Sequence, residues 1–220
     1  MRVNTGSSVM KPKIRDLGRA CSYSSVLAQM IAFTQARTED TPDEFWLLTH
    51  ARVFTQGLNG KPEHVLNPGS IPIVLSDRGG QVTYHGPGQL VLYTLLDLKR
   101  AGIGVRAWVE ALEQAVIDFM AEQGVLADRQ TGAPGVYVAG AKIAALGLKV
   151  RQGRCYHGLS FNIDMDLSPF TRINPCGMAQ LPVTQWRDCY AEFNAANSAI
   201  DVIGRALVRT LNNRLNGPQS

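Results

Sequence analysis

Twelve residues, Arg78 to Gln89 (RGGQVTYHGPGQ), hold four glycines and a proline and run without a break into the apolar stretch Leu90 to Leu98. That junction constrains the fold more than any other feature. Glycines gather where backbone takes φ > 0 or approaches another group closely. Gln81 to Tyr84 alternates polar and apolar as a short strand does, His85-Gly-Pro-Gly88 is a turn, and Leu90 to Leu98 is a buried strand. Two readings of the stretch stay open at this point. One is a tight hairpin whose Arg78 and His85 form a polar rim; the other is a pocket wall that exposes backbone N–H groups between those two side chains.

The rest of the chain surrounds this hairpin with strands and three longer helices. Residues 1–13 read as a disordered extension, and Ile14 to Leu17 as a short strand. A helix capped by Ser22 or Ser24 buries Val26, Leu27, Met30, Ile31 and Phe33 and ends by Thr41-Pro42. Strands follow at Phe45 to Thr49, Arg52 to Gln56 and Ile71 to Leu75, with a surface loop carrying His64 between the last two. Val105 to Gln123 repeats apolar residues at helical spacing (Val105, Trp108, Val109, Leu112, Val116, Phe119, Met120) and ends at Gly124. Gly135 to Val150 predicts two strands around a Gly140-Ala141 turn, and Cys155 to Ile163 a third strand of the same meander. Asp164 to Ala179 is irregular, Pro182 to Trp186 is a short extended piece, and 197–215 is a final helix with Ile200, Ile203, Leu207 and Leu211 in register. This order predicts an α+β domain over 14–215, a largely antiparallel or mixed sheet with helices against it, and a polar tail at 216–220.

Composition narrows the function classes. No apolar run approaches a bilayer span, and the N-terminus has no apolar core of a secretory signal. The four cysteines are scattered, with no C-x-x-C pair, which argues against a zinc site or a disulfide framework and for a cytoplasmic protein. The net charge of +4 contains no long basic run, so nucleic-acid binding has little support.

Chemistry concentrates at two residues. Cys176 stands in Ile173-Asn-Pro-Cys-Gly-Met178, where Pro175 fixes φ and Gly177 frees the next residue, so its thiol is expected on a defined, exposed turn. Cys155 and Cys189 read as ordinary buried cysteines. Lys142 follows the Gly140-Ala141 turn, and strict alternation places it on the face of Ala144, Leu146, Leu148 and Val150. A lysine there is either snorkelling from a strand end or buried in a pocket. If Lys142 meets Cys176, ammonium and thiolate stabilise each other and the lysine can move protons. His157, in Tyr156-His-Gly158, and His85 are further candidates for the same pocket; His50 and His64 have no supporting context.

RGGQVTYHGPGQ (78–89), GVYVAGAKIAALGLKV (135–150), YHGLSFNIDMDLSPFTRINPCG (156–177) and LLTHARVFTQG (47–57) together resemble the lipoyl(octanoyl) transferases, over about Ile14 to Trp186. The resemblance implies the fold of lipoate and biotin protein ligases, with a larger and a smaller sheet. It implies transfer of an octanoyl or lipoyl group from acyl carrier protein to a lysine of lipoyl domains, in 2-oxoacid dehydrogenase E2 subunits and the glycine cleavage H protein. Carried onto this sequence, Cys176 is the acyl-thioester nucleophile, and Lys142 lowers its pKa and acts as general acid and base. The substrate-binding segments fall on Arg78, Gly79, Gly80, Gln81, Val82, Thr83, Tyr84 and His85, on Ala145, Leu146 and Gly147, and on Gly158, Leu159 and Ser160, with His157 in support. Two positions depart from the family pattern: Ala141, where a basic residue is common, and Thr94, where a proline is.

The resulting expectation is a monomeric cytoplasmic acyltransferase without metal or bound cofactor, the phosphopantetheine arriving on the carrier. It acts on neither nucleic acid nor membrane. Backbone N–H groups near Gly147 or Gly177 are expected to hold the oxyanion, and Leu146, Leu148 and the Gly79-Gly80 backbone to wall an acyl channel. Three alternatives stay open: an ATP-dependent ligase on the same fold, a thioesterase, and a non-catalytic binding module.

Overall fold

The computed structural model describes residues 12–179, 181–194 and 198–216, with Cys176 and Asn216 described by their backbone alone. The expected extension ahead of Pro12 and the tail beyond 216 lie outside the described residues. Lys13, expected in that extension, opens the first strand.

In chain order the elements are β1 (Lys13–Cys21), α1 (Tyr23–Ala36), β2 (Glu44–His50), β3 (Val53–Gln56), β4 (Ile73–Leu75), β5 (Val82–His85), β6 (Gln89–Asp97), α2 (Leu98–Ala101), α3 (Val105–Glu122), β7 (Asp128–Gln130), β8 (Ala133–Val138), β9 (Ala141–Arg151), β10 (Arg154–Asn162), α4 (Trp186–Cys189) and α5 (Ile200–Asn216). Seven strands form one sheet in the order β1-β2-β6-β10-β9-β8-β7, and β4-β3-β5 form a second. Pairing is antiparallel except at β1–β2 and β3–β4. The mixed two-sheet α+β architecture is the one expected.

Each face of the large sheet is covered by a different set of residues. α3 and α5 lay Trp108, Leu112, Val116, Met120, Ile203, Leu207 and Leu211 against Leu90, Leu92, Leu159 and Phe161. On the opposite face α1 packs Val26 and Met30 on Trp46, Leu48, Val91 and Tyr93. The small sheet has its own apolar cluster, in which Phe54, Val82 and Tyr84 meet Phe170 and Ile173. The helical stripes read from the sequence face these clusters, with Leu27, Ile31, Phe33, Val109, Phe119 and Ile200 partly buried and Val105 46% exposed at the first turn of α3. α1 stops at Ala36, ahead of Thr41-Pro42, where Arg37 leaves helical geometry and its guanidinium turns inward to Leu95 O and Asp43.

The meander β8–β9–β10 turns on two pairs of residues with positive φ, Ala139-Gly140 and Gln152-Gly153. Two residues with φ > 0 match the twist of flanking strands, which is why such pairs join hairpins. Thr94, one of the departures from the family pattern, is buried within β6 rather than at a strand end. Its hydroxyl accepts from the Trp108 indole and donates to His157 O. Gly158 is needed on steric grounds, since a Cβ there would lie 2.1 Å from Leu92 O on β6. Gly158→Ala should therefore push β10 from β6 and destabilise the protein by about 3 kcal/mol; chemical denaturation measures it, and an unchanged midpoint would contradict the packing.

Candidate active site

Between the large sheet and the small one lies a cavity, open in part to solvent. Its floor is three strands of the large sheet: Gln89, Val91 and Tyr93 of β6, Gly158, Ser160 and Asn162 of β10, and Ala145 and Gly147 of β9. Residues two apart on a strand share a face, so each set points the same way. Its roof is Gly80 to Thr83 and His85, with Phe170, Pro175 and Val183 closing one side and Tyr23 another.

Lys142 lines this cavity and is 4% exposed. Strict alternation would have put it with Ala144. Val136 and Tyr137 are adjacent on β8 while Ile143 separates their partners Ala144 and Lys142 on β9, and this bulge resets the alternation. Ile143 and Ala144 join the helix-side core, Ala144 bordering the cavity as well, and Lys142 joins Ala145, Leu146 and Gly147 in the cavity. Its Nζ donates to Pro134 O at 3.0 Å and lies 5.1 Å from the Tyr137 ring centre. Its backbone bonds Pro182 O and Thr184 N, tying β9 to the segment that follows Cys176. Cys176 is the middle residue of a 3₁₀ turn, Pro175–Gly177, whose Pro175 borders the same cavity. The Cys176 side chain lies outside the described residues, so the expected exposure of its thiol does too.

Of the expected substrate-binding residues, Arg78, Gly80, Gln81, Val82, Thr83, His85, Ala145, Leu146, Gly147, Gly158, Leu159 and Ser160 line the cavity, and so does His157. Tyr84 does not; alternation turns it into the small-sheet cluster, its ring 5.5 Å from those of Phe54 and Phe170. Gly79 contributes backbone, its N–H bonding Leu148 O at 2.9 Å across the cavity's end. Leu148, expected as a channel wall, packs on the helix-side core instead. Arg78 is a staple: its guanidinium donates to Thr55 O, Thr55 Oγ1, Gly79 O and Gln81 O and so holds the glycine-rich loop on β3. The backbone N–H of Gly177, expected as an oxyanion donor, bonds Asn174 O at 3.0 Å within its own turn.

His85, His157, Tyr23 and Tyr93 form the cavity's polar end, with His50 packed behind them. His85 Nδ1–H donates to Gln89 Oε1 at 2.7 Å, because Gln89 Nε2 already serves Asn162 and Tyr84. His50, passed over in the sequence, donates from Nδ1 to Cys21 O and accepts at Nε2 from Tyr93 Oη. His157 has φ 63°, uncommon for a side chain other than glycine, and gives Nε2–H to Asp77 Oδ1 at 2.9 Å. Asp77 also accepts from the Tyr156 hydroxyl. Alternation from Val91 could have found Tyr93 and Gln89; nothing local announced Asp77, Tyr23 or His50.

Burial pushes His50 down to about 4, His85 well below its ordinary value, and His157 down against the opposing pull of Asp77. All three are neutral at pH 7. On unfolding they take up protons below about pH 6.5, so stability falls as pH falls from 6.5 toward 4. His50, held down to about 4, costs about 1.4 kcal/mol per pH unit in that window, and His85 and His157 add to the loss in the same direction. Denaturant titrations at pH 7.5 and 5.5 should show lower stability at 5.5; equal values would contradict neutral burial.

The two-sheet fold defines a class: structures of lipoate and biotin ligases share it. The likeness is to a lipoate-protein ligase A bound with ATP (TM-score 0.73, 15% identity, 94% of this chain and 85% of that one) and to a bipartite lipoate protein ligase from Thermoplasma acidophilum (TM-score 0.73, 16% identity, 94% and 84%). A biotin protein ligase from Aquifex aeolicus is more distant (TM-score 0.53, 10% identity, 91% and 71%). At these identities the likeness shows the fold. Residues 22–208 match the lipoyl protein ligase A/B catalytic domain. Octanoyltransferases of Xanthomonas euvesicatoria (58% identical, 84% of this chain, 80% of that one) and Chromobacterium violaceum (54%, 84% and 89%) are close relatives. The chain belongs to the lipoyl protein ligase A/B family, among its octanoyltransferases, and is an acyltransferase.

Proposed function

We propose that the protein moves an octanoyl group from acyl carrier protein to a lysine of lipoyl domains through a thioester on Cys176. One observation carries the reading: a buried lysine and the turn bearing Cys176 border the same largely apolar cavity. The Cys176 thiolate attacks the donor thioester, the C–S bond to pantetheine breaks, and Lys142 gives its proton to the departing sulfur. The acceptor amine then attacks the Cys176 thioester, Lys142 takes a proton from the attacking nitrogen, and Cys176 leaves as thiolate. The donor thioester is already activated, so the reaction needs no metal, nucleotide or bound cofactor. The lipoyl domains of 2-oxoacid dehydrogenase E2 subunits and the glycine cleavage H protein are the acceptors, and the protein acts in the cytoplasm as a monomer. The net charge of +4 suits an acidic carrier. Among the described residues no helix is long and apolar enough to cross a membrane.

Octanoyl-carrier and lipoyl domain mixed with the protein, without ATP, should give octanoylated lipoyl domain by mass. Product that appears only with ATP and free acid would overturn the reading in favour of a ligase. Free octanoate without acylated domain would indicate a thioesterase.

The acyl tail lies against Val91, Leu146, Leu159 and Val183, each buried CH₂ contributing about 0.8 kcal/mol. Gly147 abuts Gly79 O and the Arg78 stem, at 3.1 and 3.2 Å from where a Cβ would stand. Gly147→Val should shift donor preference toward shorter acyl chains. Competition between hexanoyl- and octanoyl-carrier measures this, and an unchanged ratio would remove Gly147 from the wall.

A further inference from the structure

We infer that the side-chain amide of Gln81 donates a hydrogen bond to the acyl carbonyl oxygen and is a further catalytic residue of the transfer; this rests on the thioester reading above. Gly177, which follows Cys176, has φ 72°, and its bare face is covered by the Gln81 carboxamide. A Cβ at Gly177 would lie 2.4 Å from Gln81 Nε2 and 2.7 Å from Oε1. Gln81 thus packs on the residue next to the nucleophile while lining the cavity.

Its polar atoms are uncommitted in a way its neighbours' are not. Gln89 is bonded at both ends, to His85 and to Asn162 and Tyr84. Gln185 is as well, accepting from Met165 N and donating to Asp188. Gln81 Oε1 is buried without a hydrogen-bond partner among the described residues. Buried polar groups are nearly always paired, and an exception next to a reactive turn calls for an explanation other than stability.

Oε1 is an acceptor and does not pair with an oxyanion; the donor of the same amide, Nε2, is the atom packed nearest the turn that bears Cys176, and the chemistry gives it a role. When Cys176 Sγ bonds to the thioester carbon, the C=O π pair moves onto oxygen, and it returns when the C–S bond to pantetheine breaks. The same oxyanion forms again when the acceptor amine adds to the Cys176 thioester, and collapses as Cys176 departs. A donor fixed beside that oxygen in an apolar cavity lowers both barriers. The N–H groups of Gly177 and Met178 do not supply it, since they serve Asn174 O and Pro175 O at 3.0 and 3.1 Å. Gln81 Nε2 is the side-chain donor packed against that turn.

The test separates the two half-reactions. Rapid-quench mass spectrometry follows octanoyl uptake from octanoyl-carrier and its discharge to lipoyl domain, in the unsubstituted protein, Gln81→Leu and Gln81→Glu. Because one oxyanion donor serves both steps, Gln81→Leu should slow uptake and discharge alike, each about 10²-fold, with carrier KM little changed. Gln81→Glu keeps the shape but sets a carboxylate against the oxyanion, and should slow both steps at least as much. Slowing of discharge alone would overturn the inference and assign Gln81 to the acceptor amine. Unchanged rates in either variant that melts like the unsubstituted protein would overturn it too. An unsubstituted protein that transfers octanoyl without ever carrying it would overturn the thioester reading itself, whatever the Gln81 variants do.

Discussion

Cys176→Ser will lose octanoyl transfer by a factor on the order of 10⁴ or more, the scale on which removal of a nucleophile acts. A serine hydroxyl stays protonated at neutral pH, and the site offers it a lysine in place of the histidine that usually activates one. The substitution changes one atom on a turn fixed by Pro175 and by bonds from Gly177 and Met178 to Asn174 and Pro175, so the fold should hold. The rate of lipoyl-domain octanoylation measures it, with a thermal melt as control. Retained turnover would exclude a thioester on this residue.

Lys142→Ala should be nearly as damaging, by about 10²–10⁴-fold, the range of general acid–base catalysis. The protein should remain folded, because the bonds that tie β9 to Pro182 and Thr184 run through the Lys142 backbone. Lys142→Arg is the sharper control. It keeps a cation at the cavity wall but gives up no proton in the working pH range, so it should support little transfer. Activity near that of the unsubstituted protein in either variant would make Lys142 a structural residue.

Much of this site was legible in the sequence because its parts are locally marked. The glycine-rich stretch is a cavity roof for the reason its composition suggested: Gly80 takes φ 83°, and Gly57 lets its loop approach Gly80 O to a distance that a side chain would block. Helical spacing found α1, α3 and α5, and turn chemistry found both hairpins of the meander. Alternation failed where it was applied most strictly, at Lys142, since a one-residue bulge carries no sequence mark. It would have excluded Tyr84 from the cavity and admitted Tyr93, had it been applied along β5 and β6.

What stayed hidden depends on contacts between distant positions. The His50–Tyr93 bond spans 43 residues and the Asp77–His157 bond 80. Neither partner has a local pattern, so only the fold reveals that the cavity ends in a set of neutral imidazoles. Short elements escaped for a related reason: β7, α2 and α4 have three or four residues each, too few for a period to register.

The most direct measurement is the intact mass of the protein after mixing with octanoyl-carrier in the absence of ATP, with Cys176→Ser alongside. The account predicts a gain of one octanoyl group, lost on adding lipoyl domain and absent from the variant. An unmodified mass under conditions where lipoyl domain still becomes octanoylated, or an adduct that persists in Cys176→Ser, would contradict it.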